Sequence, residues 1–161
     1  MDIRVAPLAE MLRLNTVLFR NCLDQLNDEQ AAVRPTSRTN SAAFIAAHLA
    51  SSRFYLLKTL GVQEPDPLAS YLDGRKGIDD IAQLPSLSEV DEAWTKGAHL
   101  LRDRLDALTA VEIDAPSNVP FPLANGTLLG TLTFLVQHDS YHLGQLSLLR
   151  KYCGLPAMRY Q

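Results

Sequence analysis

The stretch Phe134–Gly154, FLVQHDSYHLGQLSLLRKYCG, decides the fold. Read back to Thr127 it predicts one helix over about Thr127–Tyr152, closed by Gly154 and Pro156. Leu128, Leu135, Leu149 and Cys153 fall on one face, and His138 and His142 occupy the middle of that same face. Leu129, Val136 and Leu143 mark a second apolar face, and Phe134, Tyr141 and Leu148 a third. A helix that is apolar nearly all round is either central in its fold or covered by a partner subunit.

The two histidines carry the chemistry. Residues four apart stand one turn above each other on a helix, so their ring nitrogens can converge on one ion at about 2.0–2.1 Å. Both sit where leucine would bury most surface, and two imidazoles in a core are costly unless their nitrogens are satisfied. A third donor is expected from His48, in FIAAHLASS, amid Ala43, Ala46, Ala47, Ala50, Ser51 and Ser52, whose small side chains leave room for a cavity. Three protein ligands with an open fourth position characterise a catalytic rather than a structural metal site. A divalent ion there would lower the pKa of a bound water or thiol. The competing reading, histidines that merely pack and hydrogen-bond, stands for any one of them and weakens for three together.

Outward from this helix the chain reads as all-α. A first helix is expected over about Leu8–Leu26, with Asn15 on its apolar stripe either closing a hydrogen bond or facing a polar cavity. A second runs from about Ser41 to Leu60, capped by Ser41 and closed by Gly61. Gly61–Pro85, with Pro65, Pro67, Gly74, Gly77 and Pro85, is a long connection that can span a bundle, with a short helix expected near Ile78–Leu84. The third helix is expected over about Ser88–Leu108, begun by a capping box of Ser88 with Asp91 or Ser86 with Glu89. His99 lies about 200° from Gly97 on that helix and should face solvent, which removes it from the site. Pro116, Pro120 and Pro122 keep Glu112–Asn125 out of a helix interior, and an extended piece is possible around Val119–Phe121. The sum is a four-helix bundle with a long connection between helices 2 and 3, read as a single domain over 1–161.

The sequence FLVQHDSYHLGQLSLLRKYCG closely resembles the last helix of the DinB-like (YfiT-like) superfamily, whose hallmark H-x-x-x-H-x-G-Q is matched by His138, His142, Gly144 and Gln145. His48 fits the place of that family's remaining metal histidine, and the helix order matches along the whole chain. The resemblance implies a four-helix bundle, often a homodimer, with zinc, nickel or a related divalent ion such as iron on His48, His138 and His142. It implies a thiol-dependent transferase or isomerase that uses a low-molecular-weight thiol such as mycothiol, bacillithiol or glutathione and a small-molecule substrate. Other family members have a DNA-damage-inducible history without a known reaction, so a non-catalytic stress-response metal-binding bundle is the alternative.

The neighbours of the triad can be read residue by residue. Gly144 suits close helix approach, and Gln145 either supports the His142 ring or packs. Asp139 is expected in a helix-surface pair. Tyr55 and Tyr141 either line the cavity or pack, and Arg53 and Arg75 are either solvated or bind an acidic thiol cofactor. Cys22 and Cys153 form no CxxC pair and read as small hydrophobes with reduced thiols.

Bulk properties exclude other classes. The 161 residues carry 15 Lys and Arg against 18 Asp and Glu, a formal net charge of −3, with no basic block, so nucleic acid is not an expected partner. MDIRVAPLAEMLRLN lacks the apolar core of a signal peptide and no apolar run spans a bilayer, so the expectation is a cytoplasmic protein without a membrane partner. No phosphate loop, dinucleotide fingerprint or nucleophile elbow is present.

Overall fold

The computed structural model describes residues 1–72, 74, 77–117, 119, 121–123 and 125–160. Among the described residues four long helices carry the architecture: α1 (Ala6–Leu23), α3 (Ala42–Thr59), α5 (Leu87–Ala107) and α7 (Leu128–Tyr152). Three short ones sit in the connections: α2 (Asp28–Ala32), α4 (Ala69–Leu72) and α6 (Ala110–Asp114). Around the bundle the long helices neighbour one another in the order α1, α7, α3, α5, and α5 closes back on α1. No strand forms among the described residues; a single bridge pairs Pro116 with Thr127. The extended piece expected at Val119–Phe121 has its middle residue outside the described set. No helix among the described residues is long and apolar enough to cross a membrane.

Local chemistry sets the helix starts. The Ser41 hydroxyl accepts from the Phe44 N–H at 3.2 Å, and the Thr127 hydroxyl from the Gly130 N–H at 3.3 Å. Of the two capping boxes open to α5, Ser86 with Glu89 forms, the Ser86 N–H donating to Glu89 Oε2 at 2.8 Å. Gly61 and Gly154 follow α3 and α7 with φ of +85° and +80°, a conformation that glycine adopts without strain. The short helix expected near Ile78–Leu84 is reduced to a single 3₁₀ turn, Ile78–Asp80. Gly130 has a different reason to be glycine: a Cβ there would lie 1.9 Å from the Asn125 carbonyl oxygen, so the loop crosses directly over the first turn of α7.

The long connection has a topological cause. The start of α3 and the start of α5 share one end of the bundle, where Ala43 and Ser86 line one depression, and Arg104 near the end of α5 donates to the Leu60 carbonyl at the end of α3 at 2.7 Å. The two helices are therefore parallel neighbours, and the chain must travel back the length of the bundle between them. α7 runs antiparallel to α3, since Ile45 lies beside Leu149 while Tyr55 and Phe134 share the other end.

Leu12, Phe19, Leu49, Leu57, Trp94, Leu101, Leu132 and Leu146 are among the buried side chains of the core. Embedded with them is an ion pair. Arg53 is 1% exposed and Asp139 3%, and Arg53 Nη2 lies 3.4 Å from Asp139 Oδ2. Arg53 Nη1 donates to the Thr16 hydroxyl at 2.9 Å, and its guanidinium carbon lies 3.2 Å from the centre of the Trp94 ring. Trp94 in turn donates to the Thr16 carbonyl at 3.3 Å. Gly97 makes room for this stack, because a Cβ there would already press on Arg53 Cβ at 3.3 Å. Two expectations are corrected. Asp139 is not in a surface pair, and Arg53 is neither solvated nor placed to bind a cofactor; Arg75, the other arginine considered for that role, lies outside the described residues. Period alone puts Arg53 off the stripe of α3, but α5 covers that side.

Burial moves both partners toward neutrality: Asp139 is raised to about 6 against the pull of Arg53, and Arg53 is lowered to about 10 against the pull of Asp139. Desolvation thus outweighs attraction, the usual balance for a buried pair. Arg53→Met alone should leave an uncompensated carboxylate and cost about 3–5 kcal/mol in urea unfolding, whereas Arg53→Met with Asp139→Leu should recover most of that loss. A double variant as unstable as the single one would show that the pair acts by packing alone.

Candidate metal centre and its cavity

His48 lies mid-way along α3 and His138 and His142 stand one turn apart on α7, so the antiparallel packing of the two helices decides whether the rings meet. They do. Nε2 of His48 is 3.0 Å from Nε2 of His138. The three ring centroids are 4.5–5.0 Å apart, with each pair of rings edge to face. One nitrogen from each ring lies within 4.8 Å of the other two. Two nitrogens bound to one tetrahedral ion at the usual zinc distance would be separated by about 3.3 Å, close to the 3.0 Å of the His48–His138 pair.

The protonation states suit a ligand set. Burial, with the neighbouring imidazoles adding to it, lowers His48 and His138 to about 4, and burial lowers His142 against the hydrogen bond it donates to Gln145. All three rings are therefore neutral at pH 7, with lone pairs available. His142 Nδ1 is 2.7 Å from the Gln145 side-chain oxygen, which as an acceptor fixes the proton on Nδ1 and leaves Nε2 free to ligate. Gln145 is held in turn by donating its amide to the Tyr141 hydroxyl at 3.1 Å. The support of the ring, one of two roles open to Gln145, is thus its role. His138 Nδ1 is buried with no hydrogen-bond partner, so this ring lacks the support that Gln145 gives His142. Three neutral imidazoles without a carboxylate fit a borderline-soft divalent ion, so the residues present can hold one.

In front of the rings is a cavity of about 640 Å³. Phe44, Ser51, Ser52, Tyr55, Leu72, Phe121, Phe134 and Leu135 line it with the triad. Phe44 and Ser52 stand one turn before and after His48, and Phe134 one turn before His138, so helical spacing points to them. Phe121 and Leu72 come from the connections, where no period exists to predict them. Phe121 stacks on Phe134 at 4.6 Å and meets Tyr55 edge to face at 5.8 Å. Tyr55 thus lines the cavity; Tyr141 does not, and is 57% exposed on the outside of α7.

The remaining candidates lie elsewhere. His99 is exposed in a groove between α1 and α5, as expected. Asn15 is buried and donates to the Ser140 hydroxyl at 3.1 Å, so it ties α1 to α7 and faces no cavity. Gly144 is exposed, and a Cβ at that position would meet no atom within 4 Å, so it does not serve helix approach within the chain. Both cysteines are free. Cys22 is fully buried and pushed up to about 11 by burial, while Cys153 is half-buried.

Comparison with known proteins agrees with this architecture. A family model described as the DinB superfamily matches residues 11–146. A conserved protein of Enterococcus faecalis superposes with a TM-score of 0.74 at 16% identity, over 94% of this chain and 96% of that one. A DinB-like protein of Bacillus subtilis superposes with a TM-score of 0.65 at 12% identity, over 99% of each chain. None of the curated proteins matches the sequence significantly. Gln145→Leu should weaken zinc binding roughly 10- to 100-fold in competition with a chromophoric chelator while leaving thermal stability of the metal-free protein nearly unchanged. Unaltered affinity would mean that Gln145 only packs.

Proposed function

Since this chain belongs to the DinB superfamily, we propose that it is a divalent-metal-dependent enzyme, a thiol-dependent transferase or isomerase that uses a low-molecular-weight thiol. The observation that carries this reading is the convergence of three neutral imidazoles on the wall of a cavity of about 640 Å³, a size suited to a small-molecule substrate. A sequestering site has no need of such a space beside its ligands, which favours an enzyme over a non-catalytic bundle. Zinc or nickel suits the donor set, and iron is compatible with it. When bound, the ion would supply Lewis acidity that lowers the pKa of a thiol.

The chain's own groups then have defined tasks. His48, His138 and His142 hold the ion, Gln145 orients the His142 ring, and the aromatic walls exclude water. No Asp or Glu is among the described residues that line the cavity. The described lining thus offers no carboxylate general base, which supports thiolate chemistry over protease-like hydrolysis. Tag-free protein should carry close to one equivalent of divalent metal by elemental analysis, and His138→Ala should reduce this at least tenfold. The loaded protein should bind glutathione, mycothiol or bacillithiol and turn over electrophiles only in the presence of the thiol. Metal without any thiol binding would sink the enzyme reading and leave the sequestering bundle.

The reading includes a homodimer. Tyr141, Leu148 and Tyr152 on α7 are 57%, 69% and 54% exposed, and Met11 and Leu14 of the adjoining α1 are exposed as well. Gly144 leaves open space between Tyr141 and Leu148, into which a second copy could pack closely. Sedimentation at micromolar concentration should show a dimer that Leu148→Glu converts to monomer; monomer alone in the wild-type protein would contradict it.

A further inference from the structure

We propose that a second depression beside the histidine cavity, toward the end of α3, holds the zwitterionic α-amino-acid end of a peptide-type thiol whose sulfur reaches the triad. The proposal deepens the enzyme reading and rests on it, since a thiol must engage the triad for its other end to be placed.

Position carries the first part. The second depression has a volume of about 500 Å³, and Ser51 and Tyr55 line both it and the histidine cavity. Lys58 lines it as well. Ser51 and Tyr55 stand about one and two turns beyond His48 on α3, and Lys58 about one turn beyond Tyr55. From His48 to Lys58 the helix rises about 15 Å. An extended chain of three residues spans about 10 Å. The flexible four-carbon stem of lysine covers the rest, because helical side chains lean toward the N-terminus of their helix, here toward the triad.

Charge carries the second part. The Lys58 ammonium is exposed and has no ion-pair or hydrogen-bond partner among the described residues. Other cations nearby are occupied: Lys96 lies 2.5 Å from Glu64, and Arg53 is held in the core by Asp139, Thr16 and Trp94. Lys58 thus takes the part that the sequence suggested for Arg53. An ion at the triad is a cation too, but a borderline-soft ion takes sulfur in preference to carboxylate, which leaves the carboxylate for Lys58.

The depression also contains two acids, Glu64 and Asp66. Asp66 is fixed by the Ser51 hydroxyl and by the Leu68 N–H, which donates to it at 2.9 Å. Each carboxylate oxygen accepts more than one hydrogen bond, so Asp66 can still take a donor. A bare carboxylate drawn to Lys58 would be repelled by these acids. An α-amino-acid end matches both signs: its carboxylate meets Lys58, and its ammonium meets Asp66 and Glu64.

Cobalt-loaded protein tests this, because a thiolate on cobalt gives a charge-transfer absorption from which an affinity is read for each thiol. The probes are glutathione, N-acetylglutathione (ammonium blocked, both carboxylates kept) and 2-mercaptoethanol, which carries neither charge. Lys58→Gln should weaken glutathione roughly threefold, the size of one exposed ion pair, and leave 2-mercaptoethanol unchanged, while Lys58→Arg should retain the affinity for glutathione. N-acetylglutathione should bind the wild-type protein more weakly than glutathione by roughly the same factor. Unchanged glutathione affinity in Lys58→Gln, an equal loss for 2-mercaptoethanol, or N-acetylglutathione binding as tightly as glutathione would each overturn the proposal. The 2-mercaptoethanol titration reads the underlying assignment separately. Absence of the absorption with all three thiols removes the thiol-using centre and the proposal with it, whereas an absorption indifferent to Lys58 removes the proposal alone.

Discussion

The antiparallel seam between α3 and α7 is the constraint on which the rest depends. It carries two cross-helix pairs of opposite character. His48 meets His138 on the side that opens to the cavity, and Arg53 meets Asp139 on the side that faces the core. His48 and Arg53 are five residues apart, about 140° around the helix at about 100° per residue, and His138 and Asp139 are neighbours about 100° apart. A slip of either helix along the other would break both contacts at once. The seam also holds both of the buried side-chain nitrogens that lack a hydrogen-bond partner among the described residues, Arg53 Nε and His138 Nδ1. Polar groups left incomplete in a core are expensive, and here they sit beside the candidate centre rather than at random in the bundle.

The two sides of the seam have different electrostatic logic. On the inner side full charges are kept in place by a stack on Trp94 and by hydrogen bonds that Arg53 donates to α1, so the cost of burial is shared across four helices. On the outer side none of the described residues that line the cavity carries a full charge. The imidazoles are kept neutral by the same desolvation that burdens the ion pair, and neutral rings are what a metal ligand set requires. One physical effect, removal of water, therefore both weakens the acid-base pair behind the site and prepares the donors in front of it.

Topology explains where the cavity walls come from. Because α3 and α5 are parallel, their connection runs back along the bundle and brings Leu72 and the Asp66 turn past the end of α3. The proline-bearing segment before α7 likewise crosses the bundle end and delivers Phe121 against Phe134. The helices supply the ligands and the connections supply the surface that a substrate would meet, a common division between rigid scaffold and selective loops.

The long helices, their caps and the histidine pair were legible in sequence because each rests on local chemistry: a 3.6-residue period, a serine or threonine before it, a glycine after it. His48 was legible from its small neighbours together with the resemblance of the last helix. What could not be read was which side of each helix would be covered. Asp139 looked like a surface residue and Arg53 like a solvated one, since periodicity describes one helix at a time and both are buried by partners distant in sequence. Gly144, taken for a packing position, lies in the open for the same reason. The sequence by itself determined the helices and the donors on them. Only the tertiary structure decided that the donors converge, that Arg53 is consumed by the core, and that Phe121 lines the cavity, because each of these depends on the relative placement of elements that no local pattern encodes.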